Sequence, residues 1–203
     1  MTPEQLQSLA GPEGAFIFDR MFSAVQKVRE RLERACRILG EAGIPYAVVG
    51  GHAVAAWVAT KDDGAVRNTE DVDLLLREED LQRATVAMEL GGFVRQVAMN
   101  VTMFLDGREG KPSQAVHVLL AQQKVKAHDA CPTPSVDQVI VIDDKRIVEL
   151  SELVRMKLTS YRRKDQTHVQ DMIGVGLIDG SWPARFETPL NQRLQDLLDD
   201  PEG

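Results

Sequence analysis

Two aspartates one residue apart, Asp71 and Asp73, open the apolar run Asp71-Val72-Asp73-Leu74-Leu75-Leu76. Such a run has the pattern of a buried strand, and residues two apart on a strand point to the same face, so both carboxylates come to one side near the end of a sheet. Burying two like charges without partners costs on the order of several kcal/mol. A hard divalent cation held by oxygen ligands offsets that cost; the bland alternative is a solvated strand end. Upstream, Gly50-Gly51 closes another apolar run, Ile44-Pro45-Tyr46-Ala47-Val48-Val49, and helical spacing resumes at Ala53, Val54, Ala56 and Trp57. Glycines there let the backbone approach a ligand, and the free N–H groups and dipole of a helix N-terminus favour an anion such as a triphosphate. A plain tight turn is the alternative.

Further candidates are cationic or titratable. Arg155, Lys157, Arg162, Arg163 and Lys164 crowd one segment of a chain whose formal net charge is -7. That net charge argues against a whole-protein affinity for nucleic acid. The local cluster reads either as a solvated helix face or as a phosphate clamp, and the clamp requires the segment to fold back onto the carboxylates. Arg67, on the loop before Asp71, can reach phosphate or pair with Glu70, and Thr69 can cap the turn. His168 lies three residues from both Asp165 and Asp171, on one helix face, and is expected to form a local polar cluster with them. His52 is expected to face solvent from the first turn of its helix, with contact to a bound phosphate as the alternative. Trp57 is expected in the core.

The elements that must position these residues follow from periodicity. Phe18, Phe22, Val25, Val28, Leu32, Ala35 and Leu39 recur at helical spacing from about Phe16 to Ala42, a buttressing helix ended near Gly43. A strand, a glycine turn and a helix follow, then a polar loop from Lys61 to Glu70 and the strand carrying Asp73. Glu78 to Leu90 reads as helix. Phe93 to Ala98, Val101 to Leu105, Ala115 to Leu120 and Val136 to Ile142 read as strands, the last of the chain, before a helical tail with Ser151 as its N-cap. Hydrophobic residues make up 43% and charged residues 27%, which excludes a disordered or fibrous chain and suits one compact unit of two lobes. No apolar run reaches the ~20 residues of a membrane span, and the opening MTPEQLQSLAGPEG lacks the pattern of a signal peptide, so the expected location is the cytoplasm, without membrane association. Cys36 and Cys131 have neither metal-type spacing nor partners for a disulfide framework.

The run Val49-Gly50-Gly51 with Ala53, Trp57, Arg67, Thr69, Asp71, Val72 and Asp73 resembles the signature of the nucleotidyltransferase superfamily: Gly-Gly or Gly-Ser, a spacer, then Asp-x-Asp. Its Arg-x-Thr-x-Asp-x-Asp form resembles small bacterial members related to abortive-infection and toxin-antitoxin nucleotidyltransferases. The tail, Leu153-Val154-Arg155-Met156-Lys157-Leu158 with Arg162-Arg163-Lys164-Asp165 and Asp171, is similar to the helical segment of those proteins. The resemblance implies an α+β fold, a nucleotidyltransferase-like mixed β-sheet flanked by helices with a C-terminal helical segment. Its parts would be an N-terminal helical buttress (1–43), a core (44–148) and a C-terminal helical segment (149–203).

The activity implied is metal-dependent transfer of a nucleoside monophosphate from NTP to a hydroxyl of a protein, an RNA end or a small molecule. Asp71 and Asp73 would be the Mg²⁺ (or Mn²⁺) ligands. Gly50, Gly51, Arg67, Thr69, Lys157, Arg162 and Lys164 would bind the nucleotide. The family's third carboxylate, on a later central strand, is replaced here by His117. Within Ala115-Val116-His117-Val118-Leu119-Leu120, strand alternation sets His117 and Leu119 opposite Val116, Val118 and Leu120. Four readings stand: a core histidine, a ligand favouring Mn²⁺, Fe²⁺ or Zn²⁺, a catalytic proton acceptor, or lost catalysis. The last would leave a nucleotide-binding or partner-binding module, paired with an antitoxin or regulatory protein.

Overall fold

A computed structural model describes residues 12–98 and 101–200, with side chains from residue 23 onward. The first helix, α1 (Pro12–Glu41), forms on the predicted spacing. Val28, Leu32, Ala35 and Leu39 are buried, whereas Val25 is exposed. The side chains of Phe18 and Phe22, and the opening stretch read for a signal peptide up to residue 11, lie outside what is described. The helix ends at Glu41, and Gly43 just beyond it takes φ +62°, a conformation open to glycine at no steric cost.

A seven-stranded mixed sheet follows, in the order β3-β4-β5-β2-β1-β7-β6. Its strands are β1 (Tyr46–Val49), β2 (Val72–Leu76), β3 (Val94–Ala98), β4 (Val101–Leu105), β5 (Val116–Leu120), β6 (Val139–Ile142) and β7 (Lys145–Val148). β2 and β5 run parallel, as do β1 and β7, and the other neighbours are antiparallel. Central strand β2 buries Val72, Leu74, Leu75 and Leu76, the near-continuous apolar run of a strand covered on both faces. Asp73 is the one polar residue within it.

Helices α2 (Gly50–Ala59) and α3 (Leu81–Leu90) connect β1 to β2 and β2 to β3. The predicted helix from Glu78 begins as a single 3-10 turn, Glu78–Asp80, before α3. Trp57 is only half-buried, because its indole N–H donates to the carbonyl of Val148 at 3.0 Å and keeps the ring at the α2–sheet boundary.

Two expectations need correction. The last strand is not the single run Val136–Ile142 but a hairpin, β6 and β7, joined by Asp143-Asp144 at φ +48° and +60°. Two positive φ values in a two-residue turn match the right-handed twist of the strands. The charged start of β7, Lys145-Arg146, hides it from an apolar pattern. The tail helix α4 (Leu150–Ser160) takes Glu149 as its N-cap, not Ser151. Glu149 N–H is held by the carbonyl of Gln138, so the chain turns into helix directly on leaving the sheet.

After α4, Tyr161 adopts a left-handed conformation (φ +46°) and the chain reverses into α5 (Arg163–Gly174); α6 (Leu190–Asp199) closes the segment. Arg193 on α6 donates to the carbonyls of Leu158 and Thr159 at the α4 C-terminus, at 2.6 and 3.2 Å. A cation on the last carbonyls satisfies acceptors that have no partner inside the helix. No helix among the described residues is long and apolar enough to cross a membrane.

Candidate active site

Register builds the site. Asp73 pairs with Val49 on β1, the residue before Gly50, and on its other side with His117 on β5. A glycine turn, a carboxylate and an imidazole thus stand in one row across three adjacent strands. A one-residue slip in either pairing would send a side chain to the opposite face.

Both glycines are required by what packs on them. A β-carbon on Gly50 would collide with the Asp73 carboxylate, and Gly50 also takes φ +67°; one on Gly51 would come within 2.9 Å of Thr69 Cβ. Thr69 therefore lies against the glycine turn, but its hydroxyl is buried without a partner and caps nothing. The N-cap of α2, Val49, offers no side-chain hydrogen bond either. The first N–H groups of α2 consequently remain available to an anion.

Asp73 keeps a quarter of its side-chain surface exposed, and its Oδ1 lies 3.8 Å from His117 Nδ1, beyond hydrogen-bond length. Burial pushes its pKa up and the charge of Asp71 adds to that, against the opposing charges of His117 and Lys157. Asp71, just before β2 begins, is more exposed and accepts from Lys164 Nζ at 3.3 Å. Among the described residues no group of three or more His, Cys, Asp and Glu is arranged to hold a metal ion. His117 thus stands beside Asp73 without completing a three-ligand centre there.

The helical segment does fold back onto the carboxylates. Lys157 and Arg162 line one cleft together with Gly50, Asp73 and His117, a space of about 430 Å³. Their charges are already engaged: Asp165, fully buried, accepts from Lys157 Nζ at 3.2 Å, from Arg162 Nε at 2.8 Å and from Ser160 Oγ. Burial alone would raise Asp165; the Arg162 hydrogen bond, Lys157 and Ser160 outweigh it and hold the carboxyl at about 2. Burial lowers the Lys157 pKa despite Asp165.

Other expected contacts differ. Arg67 pairs with Asp171 at 2.8 Å rather than with Glu70, because α5 brings Asp171 across to the loop. The helix-face cluster around His168 is consequently split, with Asp165 serving Lys157 and Asp171 serving Arg67. His168 itself is buried with Nδ1 unpartnered, and burial pushes it down to about 4. His52 is not solvent-facing: it is half-buried, its Nε2 has no partner, and burial likewise lowers it to about 4. Arg155 does not itself line the cleft; it pairs with Glu152 and donates to the carbonyl of Pro132, a lining residue, at 2.7 Å.

A further part of the lining was not foreseen from the sequence. Gln123, Lys124, Val125, Lys126, Asp129 and Thr133, all from the β5–β6 connection, line the same cleft. The available signal was length: a connection from 121 to 138 without strand or helix is uncommon in a compact domain unless it has a function.

No protein-family model matches the chain, and no curated protein matches it. Solved structures do. An antigenic nucleotidyltransferase-like protein from Paracoccidioides brasiliensis is similar at TM-score 0.54 and 18% identity, over 89% of this chain and 90% of that one. The antibiotic-resistance factor ANT(2'')-Ia in solution matches at TM-score 0.52 and 12% identity, over 87% and 91%. A Helicobacter pylori protein named as a candidate nucleotidyltransferase matches at TM-score 0.51 and 17% identity, over 88% and 78%. The chain has the nucleotidyltransferase fold.

Proposed function

We propose that this protein transfers a nucleoside monophosphate from an NTP to a hydroxyl acceptor. The observation that carries the reading is the row Gly50–Asp73–His117 at a cleft faced by Lys157 and Arg162. The N–H groups opening α2 at Gly50 and Gly51 bind the triphosphate, with Thr69 behind the turn and Arg67, Lys157, Arg162 and Lys164 supplying positive charge from the loop and helical segment. Asp71 and Asp73 suit a Mg²⁺ (or Mn²⁺) that arrives with the nucleotide, since Mg²⁺ is commonly held by one or two carboxylates plus substrate phosphates. A partly desolvated Asp73 with a raised pKa is a carboxylate short of positive charge, which supports this fit. The ion would neutralise charge on the departing pyrophosphate. His117, next to Asp73, accepts the proton of the acceptor hydroxyl.

A second reading, a degenerate nucleotide-binding or partner-binding module of a toxin–antitoxin or regulatory pair, is favoured by His117 standing at the third-carboxylate position. Incubation with each α-labelled NTP, Mg²⁺ or Mn²⁺ and cell extract separates the two. Label on an acceptor, lost in Asp71→Asn and Asp73→Asn with melting temperature unchanged or raised, is the expected result. Metal-dependent NTP binding equal to the parent in both variants removes the site; binding without transfer favours the degenerate module.

A further inference from the structure

Resting on the transferase reading, we infer that the β5–β6 connection is the acceptor subsite and that Lys124 and Lys126 select an acceptor carrying phosphate beside the hydroxyl it offers. The connection is a built wall. Thr133 Oγ1 donates to the carbonyl of Leu120 at 2.5 Å and accepts from Gln123 N–H at 3.2 Å, while Thr133 N–H returns to the carbonyl of Gln123 at 2.9 Å. Ala121 N–H reaches the carbonyl of Leu76, and Arg155 from α4 holds that of Pro132.

Charge on the wall is one-sided. Asp129, its only acidic cleft residue, is buried and spends an oxygen on Lys126 N–H at 2.8 Å, so it braces the loop. Lys124 and Lys126 are exposed, and among the described residues neither ammonium forms an ion pair. Elsewhere in the lining Lys157 and Arg162 share the single carboxylate of Asp165. Among the described residues, the lysines of the cleft that have no carboxylate partner are therefore the two on the loop, in a chain whose net charge is negative. Val125, 61% exposed between the two lysines, gives a sugar or base an apolar surface to lie on. A nucleotide or an RNA end combines these properties; a polycationic acceptor would be repelled.

In the transfer, the acceptor hydroxyl oxygen bonds to the α-phosphorus of the NTP as the bond to the bridging oxygen of the β-phosphate breaks. Pyrophosphate departs with that electron pair, and the hydroxyl proton passes to His117 and on to water.

The test uses the full chain and Lys124→Glu/Lys126→Glu. Binding of a fluorescent single-stranded oligoribonucleotide with a free 3′-hydroxyl is read by anisotropy, with and without saturating NTP. Nucleoside monophosphate and an aminoglycoside serve as competitors. Expected are a loss of about tenfold or more in oligoribonucleotide affinity, steeper at low salt, unchanged NTP affinity, and no competition by the aminoglycoside. Competition by the monophosphate at saturating NTP identifies a small nucleotide acceptor, and its absence an RNA end. Oligoribonucleotide affinity equal to the parent, or weakened NTP binding instead, overturns the assignment. Because this binding is read without transfer, a chain that transfers no label fails the transferase reading separately.

Discussion

The carboxylate of Asp73 rests on the bare α-carbon of Gly50, and a β-carbon at position 50 would lie 2.8 Å from its carboxyl carbon. Gly50→Ala must displace Asp73 and also hold a left-handed φ, for a combined cost of about 2 kcal/mol or more. NTP binding should be lost with it. Gly40 is the control: a β-carbon there meets nothing within 4 Å, so Gly40→Ala should raise stability by about 0.5–1 kcal/mol. Denaturant midpoints of the two variants moving in the same direction would contradict the packing relationship.

Lys157 and Lys164 look alike in the sequence and should behave differently. Lys157→Ala leaves the buried Asp165 with Arg162 and Ser160 alone, a loss of about 3 kcal/mol for a broken buried pair. Lys164→Ala removes an exposed ion pair to Asp71 and should cost under about 1 kcal/mol, while weakening NTP binding and lessening its salt dependence. Equal melting temperatures for both variants would show that the Lys157–Asp165 pair is not buried in solution.

Next to Asp73 stands the imidazole of His117 rather than a third carboxylate. His117→Asp adds a carboxylate where its neighbour is already short of positive charge, so the cation-free variant should melt lower than the parent and gain more from Mg²⁺. Transfer should rise. His117→Ala should retain at most NTP binding. A Mg²⁺ melting shift in His117→Asp no larger than the parent's would remove the third-carboxylate correspondence.

Burial holds the His168 imidazole at about 4 in the folded chain against 6.5 when free. Its folded pKa is lowered, so the unfolded chain takes up a proton that the folded one refuses. The stability from neutral burial is present above pH 6.5 and is lost as pH falls toward 4, up to about 3 kcal/mol. Asp165, at about 2, stays charged throughout that window. His52, lowered to the same value, adds an equal loss over the same window, so urea denaturation at pH 7.5, 5.5 and 4.5 should show the two together and His168→Gln should remove about half. A parent curve level across the window would place a charged, hydrated His168 in the fold.

The strand that carries Asp73, Gly-Gly ahead of a helix and the α1 stripe were legible in the sequence because strand and helix periods are local: one or two turns of chain set where a side chain points. The mixed sheet was legible through resemblance to a known signature. Beyond that reach, partners decide, and they come both from the next turn of helix and from distant segments. Arg155, Lys157, Arg162 and Lys164 are one run of charge on paper, yet folding gives Arg155 to Glu152 and Pro132, Lys157 and Arg162 to Asp165, and Lys164 to Asp71. Arg67 finds Asp171 instead of its neighbour Glu70. His117 comes beside Asp73 only because β5 pairs with β2 in parallel at that register. A charge expresses itself through whatever lies within a few ångströms and how much water remains between, and those two quantities belong to the packed chain.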